Sequence, residues 1–149
     1  MLQIQFPEYN FRIKKDKQRH LIFDEIRRLW VTLTPEEWVR QNLLQYLIQK
    51  KKYPASLISV EKMIIVGELK KRYDVVVYRN HQPWMIIECK ERSTPINTAV
   101  IEQVMRYNMA LSIHYFVVSN GNETYAYHIA DNGLTELNEL PEFKMNNDW

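Results

Sequence analysis

The chain is poor in cysteine and glycine and has no long apolar run. Its 149 residues include one cysteine, Cys89, and three glycines. One cysteine excludes an intramolecular disulfide framework and a zinc site built from cysteines. No apolar run approaches the roughly 20 residues that a membrane-spanning helix needs. The N-terminal segment has interrupted apolar residues and no small-residue cleavage site, so we do not expect a signal peptide. These absences favour a cytoplasmic protein with no membrane association.

No charge of one sign predominates either, because the formal net charge is only +2. Basic residues cluster at 14–19, 50–52 and 70–72. Such runs either follow phosphates or are solvated loops and helix ends, and composition leaves both alternatives open. A Gly-rich phosphate loop is also absent, so we expect no nucleotide hydrolysis. The four histidines have no ligand spacing and are not expected to bind a metal: His20, His81, His114 and His128.

The apolar spacing predicts one α/β domain with a mixed sheet of about five strands flanked by helices. Thr34, Pro35 and Glu37 form a capping box at the start of the clearest helix. Residues 20–30 fit either a helix or two short extended pieces. Helices are predicted at 34–50 and 97–111, and strands at 56–66, 73–79, 83–90, 114–121 and 124–130. Within the single domain, 1–149, we expect an N-terminal extension at 1–19, a core at 20–130 and a C-terminal tail at 131–149.

Polar residues interrupt two strands of a predicted hairpin. If the turn is centred on His81, facing residue numbers sum to 162, which places Asp74 opposite Glu88. Facing residues have Cβ atoms about 4.5–5.5 Å apart and share a face. Lys90 lies on that face too, because side chains alternate along a strand. The sequence therefore predicts two carboxylates and a lysine at one sheet edge.

Two adjacent carboxylates repel each other unless a cation lies between them. Oxygen ligands with few protein contacts suit Mg²⁺ or Mn²⁺. Asp74 and Glu88 are the predicted ligands, and the backbone carbonyl of Cys89 is a candidate third ligand. A bound ion would lower the pKa of a water molecule, and Lys90 would orient that water or offset negative charge. A cross-strand salt bridge is the simpler structural explanation of the same residues.

The arrangement resembles the catalytic motif of the PD-(D/E)xK nuclease superfamily. Asp74 precedes the acidic-x-Lys tripeptide of Glu88, Cys89 and Lys90 by fourteen residues, although Tyr73 stands where the motif has Pro. The resemblance implies a restriction-endonuclease-like core and catalysis by these two carboxylates and the lysine.

The next helix carries Gln103 and Tyr107, which resemble the Gln-x-x-x-Tyr motif of the RecB-like branch. That resemblance implies contacts with nucleic acid for the pair, and Glu37, or its neighbour Glu36, resembles a first-helix glutamate that reaches the metal. Arg72 and Arg106 are further candidates for phosphate contacts, and solvation is the alternative for both.

Longer stretches, including "LTPEEWVRQNLLQYLI", "KRYDVVVY" and "WMIIECK", resemble the N-terminal nuclease domain of type I restriction enzyme R subunits. The resemblance implies a Mg²⁺-dependent DNA endonuclease, with DNA and restriction-modification subunits as partners. A non-catalytic module that binds nucleic acid or a restriction partner on the same fold is the alternative function.

Overall fold

The protein is built on a six-stranded mixed sheet and a separate three-stranded antiparallel sheet. The structure, a computed structural model, describes residues 1–108, 111–131 and 133–144, without the side chains of 104, 107 and 108. The small sheet contains β1 (Ile13–Asp16), β2 (Arg19–Asp24) and β3 (Leu29–Thr32). The large sheet contains β4 (Ile58–Val66), β5 (Leu69–Arg79), β6 (Gln82–Cys89), β7 (Tyr115–Ser119), β8 (Thr124–Ala130) and β9 (Gly133–Glu136).

Strands of the large sheet lie in chain order, and each pairs antiparallel with the next except β6 and β7. The β6–β7 pair is parallel, which requires a crossover between the two strands. Helix α2 (Thr98–Asn108) lies in that connection. The polar residues at the end of β6 are therefore followed directly by the helix that returns the chain to β7.

Helix α1 (Pro35–Gln45) forms as the capping box predicts. The Thr34 side chain accepts a hydrogen bond from the Glu37 N–H at 3.0 Å, and Pro35 occupies the first helical position. A π-helical turn, Tyr46–Lys50, continues the helix, so the two pieces together cover the predicted range of 34–50. The last residue of the turn is followed by a chain reversal that leads into β4.

Two apolar clusters cover the faces of the large sheet. Val39, Leu43 and Leu47 of α1 and its continuation pack on one face, and all three are almost completely buried. Val100 and Ile101 of α2 pack on the other face, among partly buried side chains. Each helix covers one sheet face, which is the layered arrangement expected of an α/β protein.

The structure corrects the prediction of about five strands, because the mixed sheet has six and a second sheet precedes it. Residues 20–30 are extended, as one of the two alternatives required, and contribute to β2 and β3. Strands β1 and β9 were missed because every residue in both is exposed. A strand with no buried face has no apolar alternation to reveal it. No helix among the described ranges has the length and apolar character to cross a membrane.

Candidate metal and nuclease site

The β5–β6 hairpin brings the predicted carboxylates together. Val75 pairs with Ile87 and Val76 with Ile86, so facing numbers sum to 162 and Asp74 is next to Glu88 on the following rung. The predicted register is confirmed on these rungs. The turn, however, is centred between Asn80 and His81 and not on His81, because Arg79 pairs with Gln82. A bulge after Val77 shifts the pairing towards the turn.

The bulge allows a tight two-residue turn. Asn80 and His81 have φ values of 51° and 62°, as in a type I′ hairpin turn. Tyr78 then pairs with Pro83, so the register beyond the bulge is shifted by one residue from the register of the rungs nearer the site. The hairpin combines a favourable turn with the register that places the two carboxylates side by side.

Asp74 lies where β5 changes the face that it presents. Tyr73 packs in the apolar cluster on the sheet face that α2 covers, and Val75 packs in the cluster on the face that α1 covers. In a regular strand, two residues so spaced would share a face. The neighbouring strand is irregular at the same level, because Glu61 has a φ of 55° between two regular pairs. Irregularities of this kind redirect a side chain. The regular alternation of faces along β5 is therefore interrupted at Asp74.

Two donors hold the Asp74 carboxylate. The Cys89 backbone N–H donates to Oδ2 at 2.7 Å, and the Arg40 guanidinium Nη1 lies 3.6 Å from Oδ1. Both contacts fix the orientation of the carboxylate. The Cys89 side chain faces the α1-side core, and burial raises the pKa of its thiol. That residue therefore supports the site through its backbone, and its thiol is unsuited to act as a nucleophile.

Glu88 is a buried carboxyl group with an unsatisfied oxygen. Its side chain is only 12% exposed, and Oε1 makes no hydrogen bond in the described structure. The Lys71 Nζ lies 3.9 Å from this oxygen, which is a long distance for an ion pair. Burial, together with the charge of Asp74 within hydrogen-bonding range, raises the pKa of Glu88 to about 8. Asp74 and Glu88 would repel each other if both were ionised, so at neutral pH they need a proton or a cation between them.

Lys90 follows β6 immediately, and its backbone N–H donates to the Ser119 carbonyl at 2.8 Å. This bond continues the β6–β7 ladder and holds the residue next to the pair. Its ammonium is close enough to lower the pKa of both Glu88 and Glu36. The structure thus brings Asp74 and Glu88 together and places Lys90 directly after the strand that carries Glu88.

Sequence reasoning missed Arg40, which occupies the centre of a buried ionic network. Its guanidinium donates to the Glu37 carboxylate at 2.8 and 2.6 Å, binds Glu61, and approaches Asp74. The side chain is 8% exposed, and these carboxylates outweigh the burial and raise its pKa. The three-residue spacing of Glu37 and Arg40 on a helix was a signal for one pair of the network. The contacts with β4 and β5 had no local signal.

The network occupies Glu37, whereas the neighbouring Glu36 is exposed. Glu37 also accepts from Arg27 at 3.0 Å and from Gln41 at 3.1 Å. Burial opposes its ionisation, but the hydrogen bonds from Arg40 outweigh burial and lower its pKa. Burial and then the charge of Asp74 raise the pKa of Glu36. A metal role for Glu37 stays a prediction, and its neighbour is better placed for one.

The predicted nucleic-acid residues are spread more widely. Gln103 and Arg106 of α2 are exposed and line a groove of about 540 Å³. In the described chain, neither side chain bonds to the carboxylate pair. The Tyr107 side chain lies outside the described residues. Arg72 is exposed on β5, and its neighbour Lys71 is the residue that reaches Glu88.

The donor set fits a hard divalent cation held by few protein groups. Over the residues that the structure describes, no three His, Cys, Asp or Glu side chains form a group that could bind a metal. Asp74 and Glu88 would therefore act with backbone oxygen and water, and Mg²⁺ commonly keeps several waters in protein sites. The unsatisfied oxygen of Glu88 is the observation that fits a cation.

Comparison with known proteins gave one result. No curated protein and no solved structure matches the chain. One family model matches residues 35–141, a range that runs from the start of α1 past β9 and includes Asp74, Glu88 and Lys90. The chain therefore belongs to the family described as the type I restriction enzyme R protein N terminus.

Proposed function

We propose that this protein is a Mg²⁺- or Mn²⁺-dependent DNA nuclease domain with a restriction-endonuclease-like core. One observation carries the proposal: two carboxyl groups, Asp74 and Glu88, are held together, and the buried one has an oxygen without a hydrogen bond. Such a pair is costly unless a cation neutralises it. Family membership supplies a restriction-enzyme context for that cation.

Each residue of the site has a different role in the proposed phosphodiester hydrolysis. Asp74, Glu88 and the Cys89 carbonyl would hold the ion, which supplies Lewis acidity and lowers the pKa of its water when bound. Arg40 and the Cys89 N–H hold the Asp74 carboxylate in place. The Lys90 ammonium, on the same side, orients the attacking water and offsets charge that develops on the phosphate.

Glu36 extends this site from the first turn of α1. Its side chain is exposed. After burial, the charge of Asp74 raises the pKa of Glu36, and the charge of Lys90 opposes that rise. It can accept a hydrogen bond from a water molecule at the pair, whereas Glu37 is held by arginines. We therefore assign the role expected of the first-helix glutamate to Glu36.

The groove on α2 is a proposed contact with DNA. Gln103 and Arg106 line it, and Tyr107 belongs to the same helix. A guanidinium and an amide supply donors for phosphate oxygens. Arg72, exposed on β5, is a further phosphate contact in this proposal. Restriction-modification subunits are the proposed protein partners, on the basis of the family alone.

A non-catalytic binding module is the second candidate. The net charge of +2 gives weak general attraction to DNA, and the described residues lack a three-ligand metal group. On this alternative the same fold binds nucleic acid or a restriction partner without cutting DNA.

Calorimetric titration with Mg²⁺ and Mn²⁺ tests the metal site. Wild type should bind, and Asp74→Asn and Glu88→Gln should each lose binding. Glu68→Gln, an exposed acidic residue in the β4–β5 turn, is the matched control and should bind normally. Failure of wild type to bind either ion would overturn the proposal.

A plasmid-nicking assay then separates nuclease from binding module. Lys90→Ala should lower the cleavage rate by about 10²-fold or more while metal affinity changes little, because one positioned electrostatic group is commonly worth that factor. Lys62→Ala, exposed on β4, serves as the control and should cut at the wild-type rate. Metal binding without cleavage in wild type favours the binding module.

A further inference from the structure

The small sheet presents an aromatic and basic outer face. Phe23 and Trp30 face each other on β2 and β3, with ring centroids 5.4 Å apart in an edge-to-face arrangement. The Arg12 guanidinium lies 4.3 Å from the Phe23 ring, and the Lys14 ammonium lies 4.3 Å from the Trp30 ring. Both rings are only half-buried, and both cations are exposed. We call these four residues the aromatic–basic face.

Charge in this part of the chain is strongly one-sided. Residues 12–32 include seven basic and three acidic residues, whereas the whole chain has a net charge of only +2. Two of the acids are already paired, Asp16 with Arg19 and Asp24 with Arg27. In the described structure Arg12 and Lys14 contact rings and no carboxylate. Their N–H groups are available to an anion.

The face is also fixed relative to the carboxylate pair. Asp24 of β2 accepts hydrogen bonds from Arg27 at 2.8 Å and from Gln41 of α1 at 2.9 Å. Arg27 reaches Glu37 at 3.0 Å, and that residue binds the same Arg40 that approaches Asp74. A continuous buried ionic chain thus joins the small sheet to the site. The small sheet itself lies before residue 35, where the family match begins.

We propose that the aromatic–basic face is a binding platform for a DNA strand. Arg12 and Lys14 bind phosphate oxygens, and the parts of the Phe23 and Trp30 rings that these cations leave uncovered contact bases. Aromatic surface combined with cations is the chemistry by which proteins hold single strands. An acidic peptide would use the cations but leave the rings without stacking partners. The choice of DNA rests on the proposed function, but the contacts need no metal.

Binding of a fluorescent oligonucleotide in EDTA tests the platform without cleavage. The double variant R12Q/K14Q should bind about 10-fold or more weakly than wild type. Its salt dependence should be shallower by about 1.4 in the slope of log K against log salt, because each lost phosphate contact removes about 0.7 for single strands. K50Q/K52Q, which removes two exposed lysines elsewhere, is the matched control and should bind as wild type does.

Trp30→Leu tests the stacking contribution separately. It should weaken single-strand binding about 5- to 100-fold, as the loss of one base–aromatic stack predicts, with the salt slope unchanged. Circular dichroism and thermal melting establish that each variant is folded. Competition by polyglutamate tests the acidic-peptide alternative, and displacement of DNA by polyglutamate at equal charge would overturn the proposal.

The two proposals fail in different ways. If R12Q/K14Q binds DNA as tightly as its control, the platform is wrong, whatever the cleavage assay shows. If the wild type does not bind DNA in EDTA, the platform is also wrong. If the double variant loses DNA binding but wild type binds no divalent ion, the platform stands and the nuclease proposal fails.

Discussion

Glu88 makes the metal-free protein sensitive to pH. Its folded pKa of about 8 lies above the ordinary value of 4.5, so the folded state binds a proton that the unfolded state releases. Stability from this group is therefore full below about pH 4.5 and is lost as the pH rises to about 8, with a slope of at most about 1.4 kcal/mol per pH unit. Asp24 and Glu37 have lowered pKa values and titrate below this window.

The expected result is that wild type in EDTA loses stability between pH 5 and pH 8, and that Glu88→Gln does not. Urea denaturation at several pH values measures both. Addition of Mg²⁺ at pH 8 should restore stability to wild type but not to the variant, by linkage between binding and folding. Parallel pH profiles for the two proteins would show that Glu88 is ionised normally.

Arg40 stabilises the fold through the carboxylates around it. Arg40→Gln should lower the free energy of unfolding by about 3 kcal/mol, because it removes the central cation of the network and leaves the buried Glu37 with Arg27 alone. Arg40→Lys keeps the charge but loses the two-pronged contact with Glu37, and should cost less. Chemical denaturation measures the difference, with exposed Arg28→Gln as the control. A loss under about 1 kcal/mol would mean that the network does not stabilise the fold.

At the scale of elements, the β5–β6 hairpin sets the geometry of the site. His81 adopts a left-handed conformation that glycine accepts without strain. His81→Gly creates the Asn-Gly pair favoured in type I′ turns, and should stabilise the protein by about 1 kcal/mol. His81→Val, a β-branched residue at the same position, should destabilise it. Thermal unfolding measures both, and metal affinity should stay unchanged in the glycine variant because the turn lies beyond the bulge.

Helices and buried strands were predictable because their periodicity reports burial. The Thr34 cap and the apolar rows of α1 define that helix locally, and the alternation in β5 and β6 reports a covered sheet. By contrast, every residue of β1 and β9 is exposed, and a strand without a buried face leaves no apolar alternation in the sequence. The bulge after Val77 was also invisible, although the register that it preserves near Asp74 was predicted correctly.

At the scale of the molecule, Asp24 joins the small sheet to α1. It accepts hydrogen bonds from two backbone N–H groups of its own turn, from Arg27 and from Gln41. Asp24→Ala should lower the stability by about 2–4 kcal/mol, since several donors lose a buried acceptor. Hydrogen exchange should show faster opening of Arg19–Asp24 and Leu29–Thr32 than of the large sheet.

The matched control for this prediction is Asp16→Ala, which removes an exposed acid of the same sheet. It should change stability by less than about 0.5 kcal/mol. If exchange accelerates equally in both sheets of Asp24→Ala, the molecule opens as one unit and Asp24 is not a local link.

The sequence by itself determined the family, the helices, the buried strands and the pairing that sets Asp74 beside Glu88. These depend on local periodicity, capping and a tight turn, which act between residues close in the chain. Only the tertiary structure decided that Arg40 binds Glu61 and approaches Asp74, that Glu37 is held by Arg27 and Arg40, and that Arg12 and Lys14 lie over aromatic rings. Contacts of that kind depend on the packing of distant elements, since a charged residue carries no local sign of the partner that it will meet.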